Sequence, residues 1–192
     1  MWDHKNLSFW ITVACLLAVI SAFGTESLWR PSVYVVRFTE TRFVEILQLQ
    51  TKFRDSWAAA FAVSRPVRTW GHDRVGLEIE AQAAGHAGEQ RHLEFNAAVL
   101  LRGVIGVLPG GGRVSMAHGL GPSVALSTPR IERERHEETS RRMIFMPFEI
   151  AVGDAGRRRE IFLRVHHRSG GFDVVTRGGG SNLVGGGVRW VW

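Results

Sequence analysis

Apolar and polar positions alternate one by one across residues 74–83, RVGLEIEAQA. Val75, Leu77, Ile79, Ala81 and Ala83 fall on one side, against Arg74, Glu78, Glu80 and Gln82 on the other. A period of two is the strand signature, because successive side chains on an extended backbone point to opposite faces. The pattern returns in HLEFNAAVLLR, where Leu93, Phe95, Ala97, Val99 and Leu101 oppose His92, Glu94, Asn96 and Arg102. EIFLRVHHRS sets Ile161, Leu163 and Val165 against Glu160, Phe162, Arg164, His166 and Arg168. NLVGGGVRWVW sets Val184, Val188, Trp190 and Trp192 against Arg189. Weaker alternation covers residues 32–39, 56–64, 114–126 and 142–152, the last with Glu149 on its polar face. Pro122 and Pro147 weaken two of these, since proline cannot donate to a ladder. Eight segments at this spacing predict an all-β, eight-stranded antiparallel barrel.

Two kinds of barrel fit. A soluble, lipocalin-like barrel turns its apolar face inward and its charges to water. A transmembrane barrel inverts this, with apolar side chains against lipid and polar ones filling the interior. The segments run to about ten residues, the length a tilted strand needs to cross a bilayer. Links near 66–72 and 153–158 are short, whereas those near 40–55, 127–140 and 170–181 are long or charged. The link after the third segment is brief and the glycine-rich GVIGVLPGGGR is long for an inner turn, so this alternation is imperfect. The last segment ends on Trp192. A terminal aromatic on a lipid-facing strand is the form of signal that outer-membrane barrels present to their assembly machinery. These features predict the transmembrane barrel. Glu78, Glu80, Glu94 and Glu149 would then share a narrow lumen with Arg102, Arg164, Arg168 and Arg189, a plug of ion pairs and not a pore.

The N-terminus agrees with that address. Lys5 precedes an apolar stretch, FWITVACLLAVISAF, that ends at Ala22-Phe23-Gly24. This reads as a secretory signal peptide over residues 1–24, with the barrel over 25–192. A membrane anchor is the alternative, but the stretch falls short of the roughly 20 residues a spanning helix needs. The one cysteine, Cys15, lies inside it, so the remainder has no thiol chemistry. The net charge of +6 raises nucleic acid as a partner. Scattered arginines suit acidic lipid phosphates equally, and nucleic acid is not expected. The charged segment STPRIERERHEETSRR reads as a solvated loop whose arginines could also meet lipopolysaccharide phosphates.

On the barrel reading the seventh strand runs outward and ends near the outer rim. His167 and Ser169 then share its lipid-facing side, about 7 Å apart at the two-residue repeat. An imidazole there can turn to serve a serine hydroxyl as general base. A nucleophile facing acyl chains makes chemical sense only for a lipid substrate. The bland alternative is a His and a Ser that hydrogen-bond headgroups or water. His166 and His167 cannot chelate one metal, because neighbours on a strand point to opposite faces.

His167-Arg168-Ser169 on the penultimate segment, followed by a glycine-rich loop and a last strand ending in an aromatic, resembles the outer-membrane lipid A 3-O-deacylases. The resemblance implies an eight-stranded outer-membrane barrel that hydrolyses an acyl ester of lipid A, with Ser169 as nucleophile, His167 as base, and no metal or cofactor. Two departures stand out. The family has Asn directly after the serine where this chain has Gly170, so the N–H groups of Gly170 and Gly171 are the candidate oxyanion donors. The family also carries a Glu near the start of the last strand to orient the histidine. Asn182 and Asp173 are the candidates for that role here. A non-catalytic outer-membrane barrel and a secreted lipocalin-like barrel remain the alternatives.

Overall fold

The computed structural model describes residues 29–191, apart from 49, 73, 136–137, 155, 157, 172–174 and 176–178. The expected signal peptide, Asp173 and the terminal Trp192 therefore lie outside the described residues. Eight antiparallel strands follow one another: β1 (Arg30–Thr39), β2 (Phe53–Trp70), β3 (Val75–Gly88), β4 (Leu93–Val107), β5 (Arg113–Ala125), β6 (Arg142–Gly153), β7 (Arg159–Ser169) and β8 (Gly180–Trp190). Each pairs with its neighbour in sequence, and β1 pairs with β8, so the sheet closes without an edge. Two short helices lie in the outer links, α1 (Phe43–Leu47) and α2 (Arg130–Arg135).

The polarity is inverted, as a transmembrane barrel requires. Glu78, Glu80, Glu94, Glu149, Arg102, Arg164, Arg168 and Arg189 are all buried in the lumen. On the other side of the same strands Leu101, Ile105, Ile161 and Leu163 are more than half exposed. This is the reverse of a lipocalin-like pattern. The outer wall carries arginine–tryptophan stacks near both rims. Arg37 lies 4.8 Å from the Trp57 ring at the outer end, and Arg68 lies 5.3 Å from Trp70 at the inner end. An amphipathic ring beside a guanidinium suits the headgroup level.

The lumen is a network of charge. Glu149 receives Arg102 at 2.9 Å, Arg164 at 2.6 Å and Arg189 at 2.7 Å. Arg164 also forks onto both oxygens of Glu80, at 2.7 and 2.8 Å. Tyr34 and Phe162 fill the middle, and β8 thins to admit them: a Cβ at Gly187 would stand 2.1 Å from the Val33 carbonyl oxygen and 2.5 Å from the Tyr34 Cβ.

The two strands that carry Pro122 and Pro147 form as expected, with the prolines in register opposite Ile144 and His166. Two expectations need correction. The long inner link is short: β4 runs on to Val107, and residues 108–112 turn through Gly110 and Gly111 at φ +91° and +87°. The charged loop between β5 and β6 is not simply solvated. Its α2 places Ile131 and Glu132 wholly out of solvent, where Glu132 accepts from Arg168 at 3.0 Å and from the Ser181 hydroxyl at 2.7 Å. An arginine at the end of the lumen needs a counter-charge, and the loop supplies it.

Candidate active site

Alternation along β7 puts Arg164, His166 and Arg168 inside and Leu163, His167 and Ser169 outside. Pairing with β8 sets His167 opposite Asn182, and pairing of β8 with β1 sets Asn182 opposite Thr39. Cross-strand partners on one face stand close enough for their side chains to meet. His167 Nδ1 lies 2.6 Å from Asn182 Oδ1. The amide is oriented by its other end, since Asn182 Nδ2 donates to the Thr41 carbonyl at 2.9 Å. Asn182 Oδ1 is therefore the acceptor, His167 Nδ1 carries the proton, and Nε2 keeps its lone pair.

The link between β1 and β2 builds one wall of this site. Thr39 and Thr41 join through their hydroxyls at 2.9 Å, and Arg42 N–H donates to Glu45 at 3.0 Å to start α1. Phe43, the first residue of that helix, lies edge-on to Phe148 of β6 with ring centres 6.1 Å apart, and 6.0 Å from the His167 ring. Exposure on the outer face of β7 falls accordingly toward the rim. Ile161 and Leu163 are 69% and 68% exposed, Val165 only 6%. His167 and Ser169 are half-buried beyond it.

Ser169 ends β7. Its Oγ accepts the Gly171 N–H at 3.1 Å, which a φ of +69° at that glycine makes possible. Among the described residues no hydrogen bond joins Ser169 Oγ to His167. The structure thus brings His167 and Asn182 into contact and turns Gly171 onto Ser169. Gly170 is buried beside them. Thr41 and Phe43 were missed in the sequence. Thr41 contributes only a backbone carbonyl, and Phe43 lies in a stretch read as a loop.

Asn182 can hold a tautomer of His167 without supplying charge. Adjacent His166 has a different setting. It points inward, with Nε2 at 2.8 Å from Glu94 Oε1 and Nδ1 at 2.9 Å from the Tyr34 hydroxyl.

No protein-family model matches this sequence, and no curated protein matches it. Among solved structures the chain is similar to the crystal structure of the outer membrane enzyme PagL. The two share 10% sequence identity and a TM-score of 0.61, over 84% of this chain and 99% of that one. At that identity the likeness is one of fold, a closed β-barrel of the outer-membrane type.

Proposed function

We propose that this protein is an outer-membrane ester hydrolase that removes an acyl chain from lipid A of lipopolysaccharide. The observation that carries the reading is the arrangement on the outer face of β7 and β8. A serine and a histidine share the side that would meet acyl chains, near the rim, and Asn182 holds the histidine in the tautomer a base requires. In this reading His167 Nε2 takes the Ser169 proton as Oγ attacks the ester carbonyl, and returns it to the departing sugar hydroxyl. Water activated by the same nitrogen then frees the fatty acid. Gly171 donates to Oγ, which leaves the serine hydrogen free for Nε2. In this reading the N–H groups of Gly170 and Gly171 would turn to the oxyanion as it forms.

The exposed aliphatic wall and the arginine–tryptophan stacks support an outer-membrane address. Residues 1–24 would direct export, and the C-terminal segment through Trp192 would engage the barrel assembly machinery. Asp173 remains the alternative orienting group. No cofactor enters the proposed reaction.

The test is mass spectrometry of lipid A from Gram-negative cells making the protein. Wild type should remove one acyl chain, and Ser169→Ala should remove none while its barrel still shows heat-modifiable gel mobility. Acyl loss that persists in Ser169→Ala contradicts the reading. A folded wild-type barrel that leaves lipid A intact would instead mark a non-catalytic barrel.

A further inference from the structure

The outer end of the lumen holds a second cluster, on the opposite side of the barrel wall from His167. His86 lies near the end of β3, His92 immediately before β4, and Glu94 on β4. The backbone brings them together, since His86 N–H donates to the His92 carbonyl at 2.9 Å across the hairpin. The two imidazoles stack with centres 4.0 Å apart and planes 14° from parallel. Both turn Nε2 toward one carboxylate oxygen: His86 Nε2 is 3.1 Å and His92 Nε2 3.9 Å from Glu94 Oε2.

We propose that His86, His92 and Glu94 form a binding site for a divalent transition metal of the zinc class. Three donor atoms lie within 4.8 Å of one another. Around a tetrahedral ion with bonds near 2.1 Å, neighbouring ligand atoms stand about 3.4 Å apart. Shifts of a few tenths of an ångström at the two oxygen contacts would meet that geometry, and the imidazoles would turn out of their stack to bring both lone pairs onto one ion. A second observation points the same way. The His92 side chain is 2% exposed, yet among the described residues its Nε2 has no hydrogen-bond partner. A buried ring nitrogen without a partner is uncommon in a native structure and invites an explanation. A metal ion supplies one.

The surroundings are built to orient these ligands. The other oxygen of Glu94 is held by His166 at 2.8 Å and by the Asn96 amide at 2.7 Å. His166 is in turn fixed by Tyr34. Chains of this kind hold metal-ligating side chains in place. Two imidazoles and one carboxylate disfavour calcium and magnesium, which prefer oxygen, and favour zinc or a neighbouring first-row ion with a fourth position left for water. Arg168 opposes the cation, since its Nε is 3.6 Å from Glu94 Oε2. Its charge is shared with Glu132, and its Nε donates to the Ser123 hydroxyl at 2.9 Å. The bound ion would staple the β3–β4 hairpin at the outer mouth, independently of any chemistry at Ser169.

Calorimetric titration of the refolded, chelator-treated full chain with Zn²⁺ tests this. One equivalent should bind, and His92→Ala and His86→Ala should each weaken it by more than about 100-fold, beyond the 10- to 100-fold that outer-shell changes cause. His118→Ala is the control, being an outward histidine bonded to the Pro147 carbonyl. It should bind as wild type. Heat-modifiable mobility verifies folding, and His92→Asn substitutes should the alanine variant not fold. No saturable binding overturns the proposal, as does binding that both ligand variants retain.

Discussion

His166 and His167 are neighbours in sequence with opposite employment. His166 lies wholly out of solvent between Glu94 and Tyr34, one link in a network that fills the lumen. His167 is half-buried on the outer wall, with Asn182 on one nitrogen and the lone pair kept on the other. The residue type does not decide between these roles. What decides is which side of a closed sheet the pleat assigns, and hence whether the imidazole meets a buried carboxylate or the lipid side. Inside, the charged groups are held mainly by one another, as around Glu149. Outside, at the rim, the histidine stands apart from that network and is held by Asn182.

Substitutions can break the two sides separately. The largest effect is expected inside, at Glu149, which faces three guanidinium groups. Glu149→Leu leaves those charges uncompensated, and urea unfolding in detergent should show a loss of about 3–5 kcal/mol. A loss below ~1 kcal/mol would mean the lumen is hydrated enough to screen them.

The histidine pair gives the crossed test. His167→Ala should lower fatty-acid release by about 10³-fold with the unfolding midpoint unchanged, as expected when a general base is removed. His166→Ala removes a donor from buried Glu94 and should cost about 1–3 kcal/mol of stability. Should both variants lose stability alike, the division between the two faces fails.

Asn182→Ala is milder. It should slow release by about tenfold, less than His167→Ala, because the imidazole stays but its tautomer is no longer held. Limited proteolysis of the link carrying α1 should also speed up, since Asn182 ties that link down through the Thr41 carbonyl. The smallest effect belongs to the rim. Glu89 bonds the Arg54 guanidinium, which holds the carboxyl below its ordinary range. That contribution is present above the ordinary carboxylate value and fades as pH falls through the lowered one. Glu89→Gln should therefore shift the unfolding midpoint slightly at neutral pH, and not at all in high salt.

Much of this barrel is legible in the sequence because the pleat writes a period of two into it. The eight lumenal charges anticipated from alternation are the ones found buried, from Glu78 on β3 to Arg189 on β8. The outward placement of His167 and Ser169 follows from the same parity. Contacts that depend on the return of distant links were not legible. Glu132 sits in a charged run whose composition says solvent, and only its approach to Arg168 and Ser181 explains its burial. The Thr41 carbonyl belongs to the backbone and has no sequence signature. The His86–His92–Glu94 cluster spans a hairpin, whereas the histidines that stand together in sequence are His166 and His167. Adjacent positions on a strand diverge, and positions facing across its turn converge.

The account rests on the outer wall of β7 facing lipid, with the serine at headgroup depth. The one cysteine is Cys15, so in a Cys15→Ser background single cysteines can be placed without competition. A fluorophore on Leu163→Cys or Ser169→Cys, in vesicles with bromine at defined acyl depths, measures that directly. The Leu163→Cys probe should be quenched most by bromine near the bilayer centre, the Ser169→Cys probe most by bromine near the headgroups. Quenching of both by aqueous iodide, with neither responding to brominated lipid, would contradict the account.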